Sequence, residues 1–141
     1  MHIGYFGFNN GPLGTPDAMR RVLGALDSCG FESAWTGEHV VAIDPQEPPS
    51  PIPPEFPMLD TIAALSFAAA VTERINLGSG IILLAQRNPV VLAKELSSVD
   101  VLAGTRAALL VRDTDRVELA FHIADADPEQ QPAVGEHIDA G

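Results

Sequence analysis

The chain has 141 residues, 46% of them hydrophobic and 6% aromatic, with nineteen acidic residues against eight basic ones and a net charge of −11. That length suits one domain with a core of Ala, Val, Leu and Ile, and the composition excludes global disorder. The negative balance argues against nucleic acid and against an anionic membrane as partners, since both need positive charge at the contact; a small-molecule substrate stays open.

Residues Ile3 to Phe8 form a short apolar run ended by Asn9-Asn10-Gly11-Pro12, which predicts a buried strand and then a loop. Thr15-Pro16-Asp17 opens a helix: Thr15 caps free amides, Pro16 fits the first turn, and Asp17 suits the positive end of the dipole. Met19, Val22, Leu23 and Leu26 give that helix one apolar face, and Gly30 is its left-handed stop. Cys29 beside it reads as a small buried apolar residue. Phe31 to Thr36 is a second strand. Asp44 to Pro57 holds seven prolines in fourteen residues, a density that neither a helix nor a central strand tolerates. A loop this long is either a binding loop or a solvated connector.

Leu59 to Thr72 predicts a second helix with Ile62, Leu65 and Ala69 on one side. Ile75 to Leu83 is a third strand interrupted by Gly78-Ser79-Gly80. Asn88-Pro89 caps and opens a third helix whose apolar face is Leu92, Leu96, Val99 and Leu102, closed by Ala103-Gly104. Ala107 to Val111 is a fourth strand, and Val117 to Ile123 forms a further strand able to cover an open sheet edge. Strands alternating with helices imply parallel strands joined by right-handed crossovers, which fits either an open doubly wound sheet or part of a (β/α)8 barrel.

A single cysteine, Cys29, precludes an internal disulfide. The opening Met1-His2-Ile3-Gly4-Tyr5-Phe6 lacks a signal peptide's charged start and long apolar run. The apolar stretch Ile62 to Val71 falls well short of the roughly 20 residues a membrane span needs. The expectation is a cytoplasmic protein.

Gly78-Ser79-Gly80 after a strand suggests a dinucleotide fingerprint, but the third glycine is replaced by Leu83 and no helix opens there. The better reading is a bulge or kink where a backbone or ligand comes close. An open NAD-binding sheet is therefore disfavoured. Glu38-His39 follows the second strand, at the C-terminal face if the sheet is part of a barrel. His39 can move a proton, and Glu38 can orient it or carry charge, although a Glu-His pair also occurs as an ordinary surface pair. Arg87 meets an anion or is solvated, Asn88 is a helix cap, and His2 is structural. No Cys/His spacing for zinc, no Walker loop and no G-x-S-x-G elbow occurs, so no metal ligand is assigned.

Three linked segments carry a resemblance: Gly30 to Val41 (GFESAWTGEHVV), Ala69 to Ile81 (AAVTERINLGSGI), and Gln86 to Glu95 (QRNPVVLAKE) with Val99 to Gly104 (VDVLAG). Together they resemble luciferase-like flavin oxidoreductases over roughly residues 1–106, and the Glu38-His39 segment and proline-rich loop are most similar to members using coenzyme F420, with FMN as the alternative. The resemblance implies the first half of a (β/α)8 barrel with a cofactor ring over the strand C-termini. It implies His39, with Glu38 beside it, as the catalytic pair. It implies Gly78, Ser79, Gly80 and Ile81 as a cofactor-supporting bulge, often with a cis peptide, and Phe6 and Gly7 facing the ring. The chemistry implied is hydride transfer or monooxygenation of a small organic substrate.

The chain also departs from that pattern. A complete barrel needs about 250 residues. After Arg106 a Gly-rich segment is expected, yet no glycine follows until Gly135. Residues 1–106 hold six basic and eleven acidic residues, and 107–141 hold two and eight. The expectation is a half barrel over 1–106, a divergent acidic segment over 107–141, and a truncated enzyme whose open sheet edges favour a homo-oligomer. The alternative is a non-catalytic α/β remnant or interaction module.

Overall fold

The structure, a computed structural model, describes residues 2–113 and 116–122, with side chains through Ala107. The acidic segment beyond His122, with Ile123 of the expected edge strand, lies outside the described residues. Five strands form one sheet in chain order: β1 (Gly4–Phe6), β2 (Ser33–Thr36), β3 (Asn76–Ser79), β4 (Ala107–Asp113) and β5 (Arg116–His122). The first four pair in parallel, joined by helices α1 (Pro16–Ser28), α2 (Thr61–Val71) and α3 (Pro89–Ala103). This is the α/β architecture of a partial (β/α)8 barrel, about its first half. β5 runs antiparallel to β4 and covers its free edge, as Val117 to His122 suggests. Among the described residues, no strand pairs with the outer edge of β1.

The helices start where capping chemistry places them. Thr15 accepts from Ala18 N–H at 3.3 Å, and Asn88 accepts from Val90 and Val91 N–H. Asp60 accepts from Ile62 and Ala63 N–H and starts α2 two residues later than expected. Gly30 and Gly104 end α1 and α3 with positive φ (77° and 61°).

Met19, Leu23 and Leu26 of α1, Ala64, Leu65, Ala68 and Ala69 of α2, Val99 and Ala103 of α3, and Ala34 and Leu77 of the strands make one core. The ring of Phe67 lies under the Arg20 guanidinium at 5.2 Å, tying α1 to α2. Two core expectations are corrected. Leu102 is exposed and Ala103 is buried in its place, because Leu92, Val99 and Ala103 follow steps of seven and four that keep to one helical face. Cys29 is exposed, since it caps α1 at the outer surface.

At the N-terminal end of the strands, the Asp27 carboxylate accepts from the N–H groups of Glu73, Arg74 and Ile75, holding the entry to β3. Burial pushes this carboxyl up, but the three donors outweigh it and leave it below the usual range. No helix among the described residues is long and apolar enough to cross a membrane.

Candidate functional site

Three parallel strands end on one rim. Phe6 aligns with Trp35, Trp35 with Gly78, and Thr36 with Ser79. The chain then leaves the sheet as Gly7-Phe8-Asn9, Gly37-Glu38-His39 and Gly80 to Leu83. Gly7 donates to Trp35 O at 2.8 Å and Gly80 to Thr36 O at 3.0 Å, so each exit is tied to the neighbouring strand. The positive φ of Gly7 (91°) makes the turn out of β1 available to glycine at little cost.

The Phe6 side chain sits at this rim and is 56% exposed. A Cβ on Gly80 would come within 2.8 Å of its ring, and one on Gly37 within 3.2 Å. The two glycines therefore leave the room in which an aromatic ring lies across the strand ends.

The third strand is shorter than expected. β3 stops at Ser79, and Ile81 to Leu83 is not strand. The reason is competition for its backbone: Ser79 Oγ donates to Ile81 O at 2.7 Å, and the Leu83 N–H donates to Glu38 Oε2 at 2.6 Å. The glycines thus mark the end of a strand rather than a bulge within it. Gly78 shares the sheet face of Phe6 and Trp35, whereas the Ser79 side chain is buried against Thr61 of α2. Cis peptide bonds occur at Asp44-Pro45 and Pro48-Pro49 and not within Gly78 to Ile81.

Glu38 and Arg87 form the electrostatic centre of the rim. Glu38 Oε1 accepts from both Nε (3.0 Å) and the Nη2 guanidinium nitrogen of Arg87. The Glu38 side chain is 3% exposed and that of Arg87 14%. Arg87 also donates to Asp60 Oδ2 at 2.6 Å and lies 3.8 Å from Glu95. Arg87 is thus an internal clamp that meets carboxylates, the first of its two expected readings and not the solvated one, and the hydrogen-bond partners of Glu38 are Leu83 and Arg87 rather than His39. Burial lowers the Arg87 pKa, but Glu38 and Asp60 prevail and hold it above its ordinary value. Burial likewise raises Asp60, and Arg87 with the Ala63 and Ile62 amides brings it below the usual carboxylate range.

His39 is exposed at the mouth of two adjoining hollows. One, of about 330 Å³, is lined by His39, Val40, Val41, Ala42 and, from the far limb of the proline-rich loop, Ile52, Pro54, Phe56 and Met58. The other, of about 120 Å³, runs from His39 to Asp60 beside Met58 and Leu59. The loop doubles back on itself and makes a wall beside the imidazole. Both its limbs are anchored by Asn9, fully buried, which donates to Gly37 O and Leu59 O at 2.9 Å and accepts from Gly37 N–H at 3.1 Å.

Contacts join Phe6 to Gly37 and Gly80, with Gly7 and Gly78 on the adjoining strand ends, and join Glu38 to Leu83 and Arg87. His39 lines the two hollows beside the proline-rich loop, which Phe6, Gly7, Gly78, Gly80 and Ile81 do not line. Arg87, whose anion contact the sequence offers as one of two readings, organises the rim together with Asn9 and Asp60, which no local pattern marks for that role. Asn9 was hidden in a turn-like Asn-Asn-Gly-Pro string, and the partners of Arg87 lie 27 and 49 residues away. Among the described residues no group of three or more His, Cys, Asp or Glu could hold a metal ion.

Residues 1–134 match the family model described as luciferase-like monooxygenase. None of the curated proteins matches the chain. Among solved structures it is similar to the coenzyme F420-dependent tetrahydromethanopterin reductase of Methanopyrus kandleri (22% identity, TM-score 0.55, 79% of this chain and 26% of that one). It is similar also to a monooxygenase from Streptomyces bottropensis (25%, 0.56, 79% and 32%). A third is the FMN-bound oxygenating constituent of 3,6-diketocamphane monooxygenase of Pseudomonas putida (20%, 0.61, 79% and 29%). The chain spans about a quarter to a third of the length of these three structures.

Proposed function

Because this chain belongs to the luciferase-like monooxygenase family, we propose that its strand-end rim is the first part of a cofactor site, for coenzyme F420 ahead of FMN, in an oxidoreductase acting on a small organic substrate. The observation that carries this reading is the exposed Phe6 ring lying against Gly37 and Gly80 at the strand ends. A flat aromatic face over side-chain-free backbone suits a tricyclic ring, so the residues present fit the ring end of such a cofactor. One similar structure is F420-dependent and another carries FMN, which supports a cofactor of this type.

When bound, the cofactor supplies hydride transfer or oxygen chemistry. The chain supplies position: Phe6 offers its ring face, and Gly7, Gly78, Gly80 and Ile81 bring backbone close, with Ser79 acting from behind the strand. His39, at the mouth of the hollow, carries a proton to or from a substrate oxygen. Glu38 serves it at one remove, since its carboxylate holds the loop to Arg87 and Leu83.

Titrating F420 and FMN against the purified chain by fluorescence tests the reading. Saturable micromolar binding that is lost in His39→Ala supports it; no binding to either cofactor sinks it.

A second reading is favoured by one observation. All strands of a (β/α)8 barrel are parallel, whereas β5 here is antiparallel to β4. A sheet closed off at that edge suits a non-catalytic α/β remnant or interaction module. The outer edge of β1, which no described strand covers, then favours pairing with a second copy. Light scattering coupled to size exclusion tests this, and a compact monomer counts against it.

A further inference from the structure

Behind the rim, three hydroxyl groups meet in the interior: Thr36 at the end of β2, Thr61 at the first turn of α2 and Ser79 at the end of β3, each fully buried. Thr36 Oγ1 is hydrogen-bonded to Thr61 Oγ1, Thr61 Oγ1 lies 3.3 Å from Ser79 Oγ, and Ser79 Oγ lies 2.7 Å from the Ile81 carbonyl. Each hydroxyl has one proton to give. A carbonyl only accepts, so Ser79 must donate to Ile81. Ser79 then accepts from Thr61, and Thr61 accepts from Thr36. With the Thr36 proton on Thr61 the order runs from the second strand through a helix to the backbone just past the third; the Gly78 carbonyl, 3.5 Å from Thr36 Oγ1, is a second and longer acceptor for that proton.

The position of this chain gives it a use that core packing does not require. Valine has nearly the shape of threonine and would fill the same space without a polar atom to satisfy, so three hydroxyls buried together impose a cost unless each is paired. What they hold is the segment that turns out of β3: Ile81 through its carbonyl, while the Gly80 N–H binds Thr36 O on the same strand end. That segment borders Phe6 and leads to Leu83, whose N–H meets Glu38.

We infer that Thr36, Thr61 and Ser79 are positioning residues that set the Gly80 to Leu83 lip against the rim, with Thr61 the link that couples α2 to both strand ends. Its bearing on a bound ring rests on the function proposed above; its mechanical role does not.

Amide hydrogen exchange on the full chain tests it. In Thr61→Val, exchange at Gly80 and Leu83 rises about tenfold relative to the core amide of Leu77, the scale of one lost hydroxyl hydrogen bond, and Thr61→Ser restores it. Ser79→Ala, which removes the last link alone, does the same at Gly80 and serves should Thr61→Val fold poorly. Exchange at the lip that rises no more than at Leu77, or that serine does not restore, overturns the inference. F420 and FMN titrations of the same variants run alongside. Weaker binding in Thr61→Val than in Thr61→Ser extends the role to the cofactor, and a loosened lip with unchanged affinity overturns that extension. If the wild-type chain binds neither cofactor, the proposed function falls, and the exchange data still decide the mechanical role.

Discussion

Glu38 reaches across 49 residues of sequence to hold Arg87, and the pair pins the exit of the second strand to the start of the third helix. Both side chains are largely buried, and each has further partners that make the burial tolerable: the Leu83 amide for Glu38, Asp60 for Arg87. Removing one member strands the other, which typically costs about 3–5 kcal/mol. Glu38→Ala and Arg87→Ala are each expected to lower the urea midpoint strongly, and the double variant Glu38→Leu/Arg87→Met to recover much of the loss. A double variant no more stable than the singles contradicts this.

Gly80→Ala tests the rim differently. The added Cβ meets the ring of Phe6, which is more than half exposed and free to swing aside. Stability should fall by about 0.5 kcal/mol or less, the range of ordinary surface changes, while the ring leaves its place over the strand ends. Cofactor titration should therefore show weaker binding with little change in melting temperature. A large stability loss with unchanged binding speaks against the arrangement.

Asn9→Ala removes three hydrogen bonds to the backbone of the loop limbs and leaves buried carbonyl and amide groups unpaired. Each such group costs about 1–3 kcal/mol, so the variant is expected to be among the most destabilised single replacements at this end of the sheet. Limited proteolysis should cut within residues 40–57 faster than in the wild type. Unchanged cleavage would show that the loop does not depend on this anchor.

Acid should unfasten both ends of the sheet together. Asp27 and Asp60 have folded pKa values below the 3.8 of the free side chain. The stability they contribute is present above that value and is lost as pH falls through their lower folded values. Melting temperature against pH should drop below about pH 4, with a smaller drop in Asp27→Asn, whose one neutral oxygen can still serve the Arg74 and Ile75 amides but not that of Glu73, which faces the other oxygen. An identical acid limb in that variant rules Asp27 out as a contributor.

Asp100 behaves in the opposite sense. Burial holds its carboxyl above the usual range, and one oxygen is buried without a hydrogen-bond partner among the described residues. A raised folded pKa means that stability present at low pH is lost as pH rises through 3.8 towards the folded value. Asp100→Asn should raise the melting temperature at pH 7 and leave it nearly unchanged in strong acid; a lower value at pH 7 is the contrary result.

Much of the architecture is legible in local patterns. Thr15-Pro16, Asn88-Pro89, Gly30 and Gly104 mark helix ends through capping chemistry that needs no distant partner, and the alternation of strands and helices implies a parallel sheet. The extent of β3 was not legible, because apolar Ile81-Ile82-Leu83-Leu84 suits a strand as well as a turn, and the choice was made by Ser79 and Glu38 capturing its backbone groups. Leu102 reads as inward-facing for a related reason: in sequence, an apolar residue one step off the buried stripe looks the same as one on it.

The segments around Glu38-His39, Gly78 to Ile81 and Arg87-Asn88 mark this chain's family before any coordinates are known, since short-range order along the chain preserves them as strings. Which of their side chains touch was decided in three dimensions. Parallel register sets Thr36 level with Ser79, the crossovers carry Asp60 and Arg87 back to the same rim, and only then does Glu38 face a guanidinium rather than the imidazole next to it in sequence. Neighbouring residues on an extended backbone point to opposite sides, so adjacency along the chain says least about contact at the place where this site is built.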